Sequence, residues 1–227
     1  MSDTTLVIGA GVGGLTAAIR LASDGRDVLV VEAASGPGGK AGVVEIDGVQ
    51  IDTGPSVLTM PEAFDRVLAP AGTRLRDEVH LRELNPGFRY RYPDGAVLDV
   101  HHHADDTLAS VRSTLGPKAE AELAGFLARA GRIWDAAAPS FVYGPAPTVG
   151  GMIAIGWRAL RLLADIDPLS RMQGAIARQV NDEHLRWLLW RYATYNGSDV
   201  RRAPATLNCI AHVELALGGF GVQGGMY

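Results

Sequence analysis

A turn of six residues constrains this chain more than any other feature. Thr4 to Ile8 has the composition of a strand and leads directly into Gly9-Ala10-Gly11-Val12-Gly13-Gly14. Apolar residues then recur at helical spacing until Gly25, and Val28 to Val31 follows as a continuous apolar run, typical of a parallel strand buried on both faces. The pattern predicts a βαβ unit with a glycine turn, typical of domains that bind a dinucleotide.

The residues of this motif have distinct predicted roles. Gly9 permits the tight turn out of the strand, Gly11 lets the backbone approach a pyrophosphate, and Gly14 lets the helix pack closely on the strands. The helix that starts near Gly13 directs its N-terminal amides and its dipole at the negative charge. Glu32 ends the second strand, where a carboxylate accepts hydroxyls of an adenosine ribose and repels a 2′-phosphate, which disfavours NADP.

The next loop, from Ala33 to Gly42, bears on the choice between FAD and NAD. It carries the adjacent glycines Gly38 and Gly39, followed by Lys40. Adjacent glycines let a backbone pass close to an extended cofactor, which favours FAD. The alternative is a flexible loop that holds no ligand.

Composition and charge exclude several classes of protein. The formal net charge is −4 and no basic block is present, so nothing favours nucleic acid as a partner. The single cysteine, Cys209, excludes an internal disulfide framework and a cysteine-rich metal site, and we expect it to be a small buried residue. We expect no secretory signal and no membrane-spanning segment, and a cytoplasmic location.

The rest of the chain divides into a mixed region and a helical region. Two turn signals, Asp47-Gly48 and Pro93-Asp94-Gly95, predict hairpins of Val43–Ile46 with Val49–Ile51 and of Phe88–Tyr92 with Ala96–Val100. Helices are predicted at Pro61–Leu68, Asp105–Leu115, Pro117–Ala137, Val149–Leu163, Asp182–Tyr195 and Pro204–Leu217. We therefore predict an incomplete nucleotide-binding domain over residues 1–100 and a mainly helical region over residues 101–227.

Four passages of the chain resemble a known family. The N-terminal stretch is similar to the extended fingerprint of FAD-dependent amine-oxidase-like flavoproteins. Within that superfamily, three passages resemble bacterial carotenoid desaturases of the phytoene desaturase type: Asp52 to Pro61, Tyr90 to Gly95, and Ala203 to Leu207 running on to Gly224-Gly225-Met226. The last passage resembles a branch that includes hydroxycarotenoid desaturases, so the substrate stays open.

The resemblance implies an α/β fold, in which a Rossmann-like FAD-binding domain carries an inserted, mainly helical substrate domain. It implies FAD, a long apolar polyene substrate and the insertion of carbon–carbon double bonds, with the chain as the N-terminal half of the family fold. The flavin would accept a hydride while the protein aligns the polyene and keeps water out, so no catalytic residue is assigned. The alternatives are another amine-oxidase-like flavoprotein, acting on an amine or a different isoprenoid, and an inactive fragment.

These considerations give a set of predicted cofactor-binding residues. They are Gly9, Ala10, Gly11, Val12, Gly13, Gly14, Glu32, Ala33, Gly38, Gly39, Lys40, Gly54, Pro55 and Ser56.

Weaker signals have ordinary structural interpretations. We expect no metal at His101-His102-His103, because consecutive strand residues point to opposite faces. Trp187, Leu188, Trp190 and Tyr195 are expected in the core rather than along a substrate tunnel, and His212 and Glu214 as satisfied structural groups. The stretch Val149–Leu163, with Trp157, is either a packed helix or a helix in a membrane interface. Because a carotenoid is stored in lipid, we predict peripheral association with the inner face of the cell membrane.

Overall fold

The computed structural model describes residues 3–144, 148, 166–167 and 169–227, so the predicted helix Val149–Leu163 lies outside the described residues. The chain divides into two compact units. Unit 1 comprises Met1–Leu84 and Gly219–Tyr227, and unit 2 comprises Asn85–Gly218.

Unit 1 begins with the predicted βαβ unit. Strand β1 (Thr5–Ile8), helix α1 (Val12–Ser23) and strand β2 (Val28–Val31) follow one another, and the two strands pair in parallel. Residues along both strands alternate between half-buried and exposed, and Ile8 is 82% exposed. The βαβ prediction is confirmed, but burial of β2 on both faces is wrong, since this alternation shows that only one face of the pair is covered.

The remainder of unit 1 combines a hairpin, two short helices and a long-range strand pair. Strands β3 (Val43–Ile46) and β4 (Val49–Asp52) form the predicted antiparallel hairpin, and helix α2 occupies Pro61–Leu68 as predicted. The sequence did not predict the shorter elements, which are helix α3 (Leu75–Glu78) and strands β5 (Leu81–Glu83) and β8 (Phe220–Val222). Strands β5 and β8 pair antiparallel.

Among its described residues, unit 2 contains a hairpin, five α-helices and shorter helical turns of other types. Strands β6 (Phe88–Arg91) and β7 (Val97–Val100) pair antiparallel, which confirms the second predicted hairpin. The helices are α4 (Ala104–Leu115), α5 (Pro117–Ala137), α6 (Met172–Ala177), α7 (Glu183–Trp190) and α8 (Cys209–Leu215).

Two predicted helices of unit 2 are shorter than expected, and one helix was missed. Asp182 is the N-cap of α7 and accepts a hydrogen bond from the Leu185 amide, but the α-helix ends at Trp190 and continues as a 3-10 helix over Arg191–Asn196. A 3-10 turn over Ala205–Asn208 likewise precedes α8. Helix α6 has only six residues, too few for a clear periodic pattern.

The compact units differ in two places from the predicted division at residues 100 and 101. The β6–β7 hairpin lies in unit 2, because Leu98 and Val100 are almost fully buried in the same core as Leu123 and Leu185. The segment Gly219–Tyr227 lies in unit 1, where β8 pairs with β5.

Within the part of the chain that the structure describes, no helix combines the length and the apolarity needed to cross a membrane.

Candidate dinucleotide-binding site

The glycine turn joins the end of β1 to the start of α1 with very little space between them. Gly9 has a positive φ of 100°, and its amide donates to the Val31 carbonyl at 2.7 Å. A Cβ at Gly14 would lie 1.9 Å from the carbonyl oxygen of Gly9. The tight turn predicted at Gly9 and the close helix packing predicted at Gly14 are therefore confirmed as backbone requirements.

The second glycine loop lies directly against the first. The Gly38 amide donates to the Ala10 carbonyl at 2.9 Å, and Gly11 and Gly38 form a parallel bridge. Gly39 has a φ of 61°, and a Cβ there would lie 3.1 Å from the Gly11 Cα. Two loops that are separate in the sequence thus lie backbone to backbone beside the N-terminus of α1.

Glu32 has a role that the sequence did not reveal. Its carboxylate accepts hydrogen bonds from the backbone amides of Ala10 at 2.7 Å and Ala34 at 2.9 Å. These bonds connect the glycine turn to the end of β2. The hydrogen bond from Ala34, and then that from Ala10, lower the pKa of Glu32, which keeps the carboxylate ionised at neutral pH. Each carboxylate oxygen has more than one lone pair, so both can still accept ribose hydroxyls.

The remaining predicted site residues lie around these two loops. Val12 is the first residue of α1, and Ala33 follows Glu32 directly and is exposed. A Cβ at Gly54 would lie 2.0 Å from the Lys40 carbonyl oxygen, so the backbone after β4 touches the second glycine loop. Pro55 and Ser56 follow in exposed positions.

The end of the described chain adds residues that the prediction missed. The Met226 amide donates to both carboxylate oxygens of Asp52, at 3.1 and 3.0 Å. A Cβ at Gly38 would lie 2.8 Å from the Tyr227 ring, so this tyrosine covers the second glycine loop. The adjacent pair Gly224 and Gly225, both with positive φ, was a usable signal for such a close approach.

In unit 2, a buried polar cluster surrounds Glu214. This side chain is 3% exposed and contacts the Arg191 guanidinium, and it accepts the hydroxyl of Tyr192 at 2.9 Å and that of Tyr195. The Arg191 guanidinium also lies over four aromatic rings, those of Phe88, Tyr90, Tyr192 and Tyr195, at 4.7–5.8 Å from their centroids. The prediction that Glu214 is a satisfied structural group is confirmed.

The other singled-out residues of unit 2 divide between core and surface. Leu188 is buried and Trp190 packs against the core, whereas Trp187 is 39% and Tyr195 is 55% exposed, so the core prediction holds for only two of the four. Desolvation lowers the pKa of His212, and the charge of Asp135 opposes this shift only in part. The buried Nδ1 of His212 has no hydrogen-bond partner among the described residues, so the prediction that His212 is a satisfied structural group is wrong. Cys209 is half-buried rather than buried as predicted, and this burial raises the pKa of its thiol to about 11.

The three consecutive histidines follow β7 rather than extend it. The rings of His102 and His103 lie 4.8 Å apart in an edge-on arrangement, and His101 is hydrogen-bonded to the Asn85 side chain. The argument that they point to opposite faces of a strand was therefore wrong, because the strand ends at Val100. The expectation that they bind no metal stays a prediction.

A family comparison agrees with the geometry of unit 1. Residues 7–69 match the family described as NAD(P)-binding Rossmann-like domain. They include the glycine turn, Glu32 and the second glycine loop. Residues 7–69 are therefore similar to a Rossmann-type dinucleotide-binding domain.

Curated relatives match the chain over nearly its whole length. It is 35% identical over 224 residues to hydroxyneurosporene desaturase of Rubrivivax gelatinosus, 33% over 225 residues to phytoene dehydrogenase of Streptomyces griseus, and 32% over 226 residues to 4,4'-diapolycopene oxygenase of a Methylomonas species. These matches cover 98–100% of the chain but only 42–45% of the relatives, so the chain spans less than half of their length. The chain is therefore similar over nearly its whole length to carotenoid desaturases, as its motifs indicated.

Solved structures of amine oxidases share the fold. Cyclohexylamine oxidase from Brevibacterium oxydans superimposes with a TM-score of 0.58 at 18% identity, and putrescine oxidase bound to putrescine with 0.57 at 20%. Both comparisons cover 99% of this chain and 46–47% of the other chain. At such low identity the likeness shows the fold alone, and it confirms the predicted α/β, amine-oxidase-like fold class.

Proposed function

We propose that this chain belongs to an FAD-dependent desaturase that acts on an acyclic carotenoid of the phytoene or hydroxycarotenoid type. One observation carries the proposal: the loops Gly9–Gly14 and Gly38–Gly39 are joined by backbone contacts beside Glu32. The relation to hydroxyneurosporene desaturase and phytoene dehydrogenase supports the substrate class.

The residues of unit 1 fit the adenosine diphosphate part of FAD. The amides at the start of α1 and the backbone at Gly11 and Gly39 would hold the pyrophosphate, since neither glycine has a Cβ to keep it away from the backbone. Glu32 would hold the ribose hydroxyls, and its negative charge disfavours NADP. Lys40, Gly54, Pro55 and Ser56 would border the cofactor further along.

The bound flavin would supply a hydride acceptor for an unactivated C–H bond, while a proton leaves the neighbouring carbon. The protein would then need to orient an apolar polyene and exclude water. The Arg191, Tyr192 and Tyr195 side chains each pair with Glu214 inside unit 2, so we assign none of these groups as an acid or base.

A second candidate is oxygenation of a carotenoid. It is favoured by the 32% identity to 4,4'-diapolycopene oxygenase over 226 residues. The two candidates share the cofactor site and differ in the product formed.

Pigment analysis distinguishes the candidates. The whole product of the gene is expressed in a bacterial host that accumulates acyclic carotenes. The extracted pigments are separated by chromatography, and their molecular masses are measured by mass spectrometry. Desaturation removes two hydrogens at each step and lengthens the conjugated system, whereas oxygenation adds oxygen. Pigments identical to those of the host alone would contradict both.

The cofactor assignment has its own experiment. In Gly11→Ala, the new Cβ would lie 3.8 Å from the Gly39 Cα, an ordinary contact, so we expect the fold to persist while the pyrophosphate loses its close approach. Visible flavin absorbance of the purified protein should fall sharply in this variant and remain in Gly125→Ala, where a Cβ meets open space. Equal flavin content in both variants would contradict FAD at this turn.

Peripheral association with the inner face of the cell membrane is part of the same proposal, because a polyene substrate partitions into lipid. Vesicle flotation of the gene's whole product tests it. Protein that stays with the aqueous fraction at every lipid composition would contradict it.

A further inference from the structure

Five arginines of unit 2 lie around helix α6 and the loop that precedes α8. We call them the arginine surface: Arg129, Arg171, Arg178, Arg201 and Arg202. Contacts connect its members. Arg178 lies 3.6 Å from the Asp167 carboxylate, Arg129 lies 3.8 Å from the same carboxylate, and Arg171 donates to the Arg202 carbonyl at 3.0 Å.

The arginine surface carries more positive than negative charge. Asp167 is shared by two guanidinium groups, and Asp199 pairs with its neighbour Arg201. Four of the five arginines are exposed, and the fifth, Arg129, is half-buried. The whole chain has a formal charge of −4, so this concentration of arginine runs against its overall charge.

Leu169 is an exposed apolar residue next to this surface. It is 93% exposed, two residues from Asp167 and two from Arg171. Its neighbour Ser170 accepts a hydrogen bond from Arg178 at 3.2 Å, so the exposed leucine and the guanidinium groups occupy the same patch. An apolar side chain among arginines combines the two attractions that hold proteins at anionic lipid surfaces.

We propose that the arginine surface docks on the phosphate-bearing headgroups of an anionic phospholipid membrane, with Leu169 inserted among the acyl chains. The inference deepens the proposed function and rests on it, because that function requires access to a lipid-dissolved polyene. Guanidinium groups are suited to this contact, since their planar donors match phosphate oxygens and their apolar stems cover hydrocarbon.

The test is flotation of the gene's whole product with vesicles of phosphatidylcholine alone or mixed with phosphatidylglycerol. We expect binding to the mixed vesicles that weakens as salt rises. The triple variant Arg171→Gln/Arg178→Gln/Arg202→Gln should bind the mixed vesicles about 100-fold more weakly, since each basic side chain near an anionic surface adds to the attraction.

The matched control removes three exposed arginines elsewhere, in Arg26→Gln/Arg82→Gln/Arg91→Gln, and should retain binding. Leu169→Ser keeps the charge of the arginine surface, and the exposed leucine makes few packing contacts that the substitution could remove. We therefore expect this variant to bind the mixed vesicles at low salt but to be released at a lower salt concentration than the unmodified protein. Equal losses in both triple variants, or equal binding to both kinds of vesicle, would overturn the proposal. Arginine-dependent binding to a single-stranded oligonucleotide in preference to the mixed vesicles would overturn it too.

Failure of this inference is separable from failure of the proposed function. Pigment conversion measured with detergent-dissolved substrate does not require a membrane surface. Conversion in detergent without selective vesicle binding would therefore overturn the docking inference alone, whereas absence of conversion would contradict the function.

Discussion

Unit 2 packs many of its apolar side chains into a core, whereas many apolar side chains of unit 1 are exposed to solvent. Among the residues that the structure describes, the main core of unit 2 contains twenty buried residues, including Leu123, Leu185 and Tyr192, and the corresponding cluster of unit 1 contains three. Helix α1 has no buried residue, and Leu6 and Leu29 are each more than half exposed. A parallel sheet is normally covered on both faces, but one face of the β1–β2 pair is exposed. Side-chain packing therefore contributes less to the structure of unit 1 than to that of unit 2.

The comparison of the two units shows which interactions fix the conformation of the glycine turn. In unit 1 the backbone itself sets the geometry, through positive φ values, amide hydrogen bonds and the contact of Gly14 with the Gly9 carbonyl. In unit 2 side chains set it, through a packed core and the cluster around Glu214. Substitutions should therefore act through backbone sterics in unit 1 and through packing and charge in unit 2.

The largest effect is expected in unit 2 at Glu214. Glu214→Gln leaves the Arg191 cation in a largely buried position without its counter-charge, which should cost about 3–5 kcal/mol of unfolding free energy. Denaturant unfolding followed by tryptophan fluorescence measures it, because all four tryptophans lie within Asn85–Gly218.

A double variant checks the cause. Arg191→Met/Glu214→Gln removes both charges while the amide oxygen still accepts the Tyr192 hydroxyl, so it should be more stable than Glu214→Gln alone. An equal or larger loss in the double variant would mean that charge is not the reason.

A smaller effect, confined to unit 1, is expected at Gly14. The Cβ of Gly14→Ala would overlap the Gly9 carbonyl oxygen, so α1 must move away from β1, at a cost of about 1–3 kcal/mol. Hydrogen exchange at the Gly9 amide should become faster. That amide donates to the Val31 carbonyl, and displacement of the Gly9 carbonyl should weaken this hydrogen bond. Gly13→Ala is the matched control, since a Cβ there meets open space, and comparable acceleration in the control would refute the steric explanation.

The exposed face of the β1–β2 pair should tolerate polar residues. Ile8→Thr keeps a β-branched side chain and should change the stability of this chain by less than about 0.5 kcal/mol. The comparison is Leu185→Ala in the core of unit 2, with an expected loss of about 2–5 kcal/mol. Thermal unfolding of the two variants side by side measures the difference, and similar losses would show that Ile8 is covered.

The smallest effect is a pH dependence at the start of α7. Burial alone would lower the pKa of His184, but the hydrogen bond and charge of Asp94, with Asp182, outweigh it and raise the pKa above 6.5. The protonated histidine therefore adds stability that is fully present below pH 6.5 and is lost as the pH rises through the raised pKa. The contribution should be small, because Asp94 is exposed and solvent screens its charge.

Unfolding measured across this pH range tests the assignment. The difference between the protein and His184→Gln should be larger below pH 6.5 than above the raised pKa. A difference that does not change with pH would rule out this ion pair as its source.

Local patterns predicted several elements well. The βαβ unit, both hairpins and the bounds of α2 and α5 agree with the structure, because turns and amphipathic periods depend on residues close in sequence. The pairing of β5 with β8 was not predictable, because three-residue strands carry no clear period and their partners are far apart in the chain. The ends of α7 and α8 were overestimated where the chain tightens into 3-10 turns.

The sequence by itself determined the glycine turn, the second glycine pair and the acid after β2, because each of these depends on backbone freedom or residue type at a fixed spacing. Only the tertiary structure decided that Gly38 bonds to Ala10, that Glu32 holds the turn through two amides, and that the segment around Met226 returns to Asp52. These contacts join residues far apart in the chain, and their formation depends on chain closure and packing that no local pattern encodes.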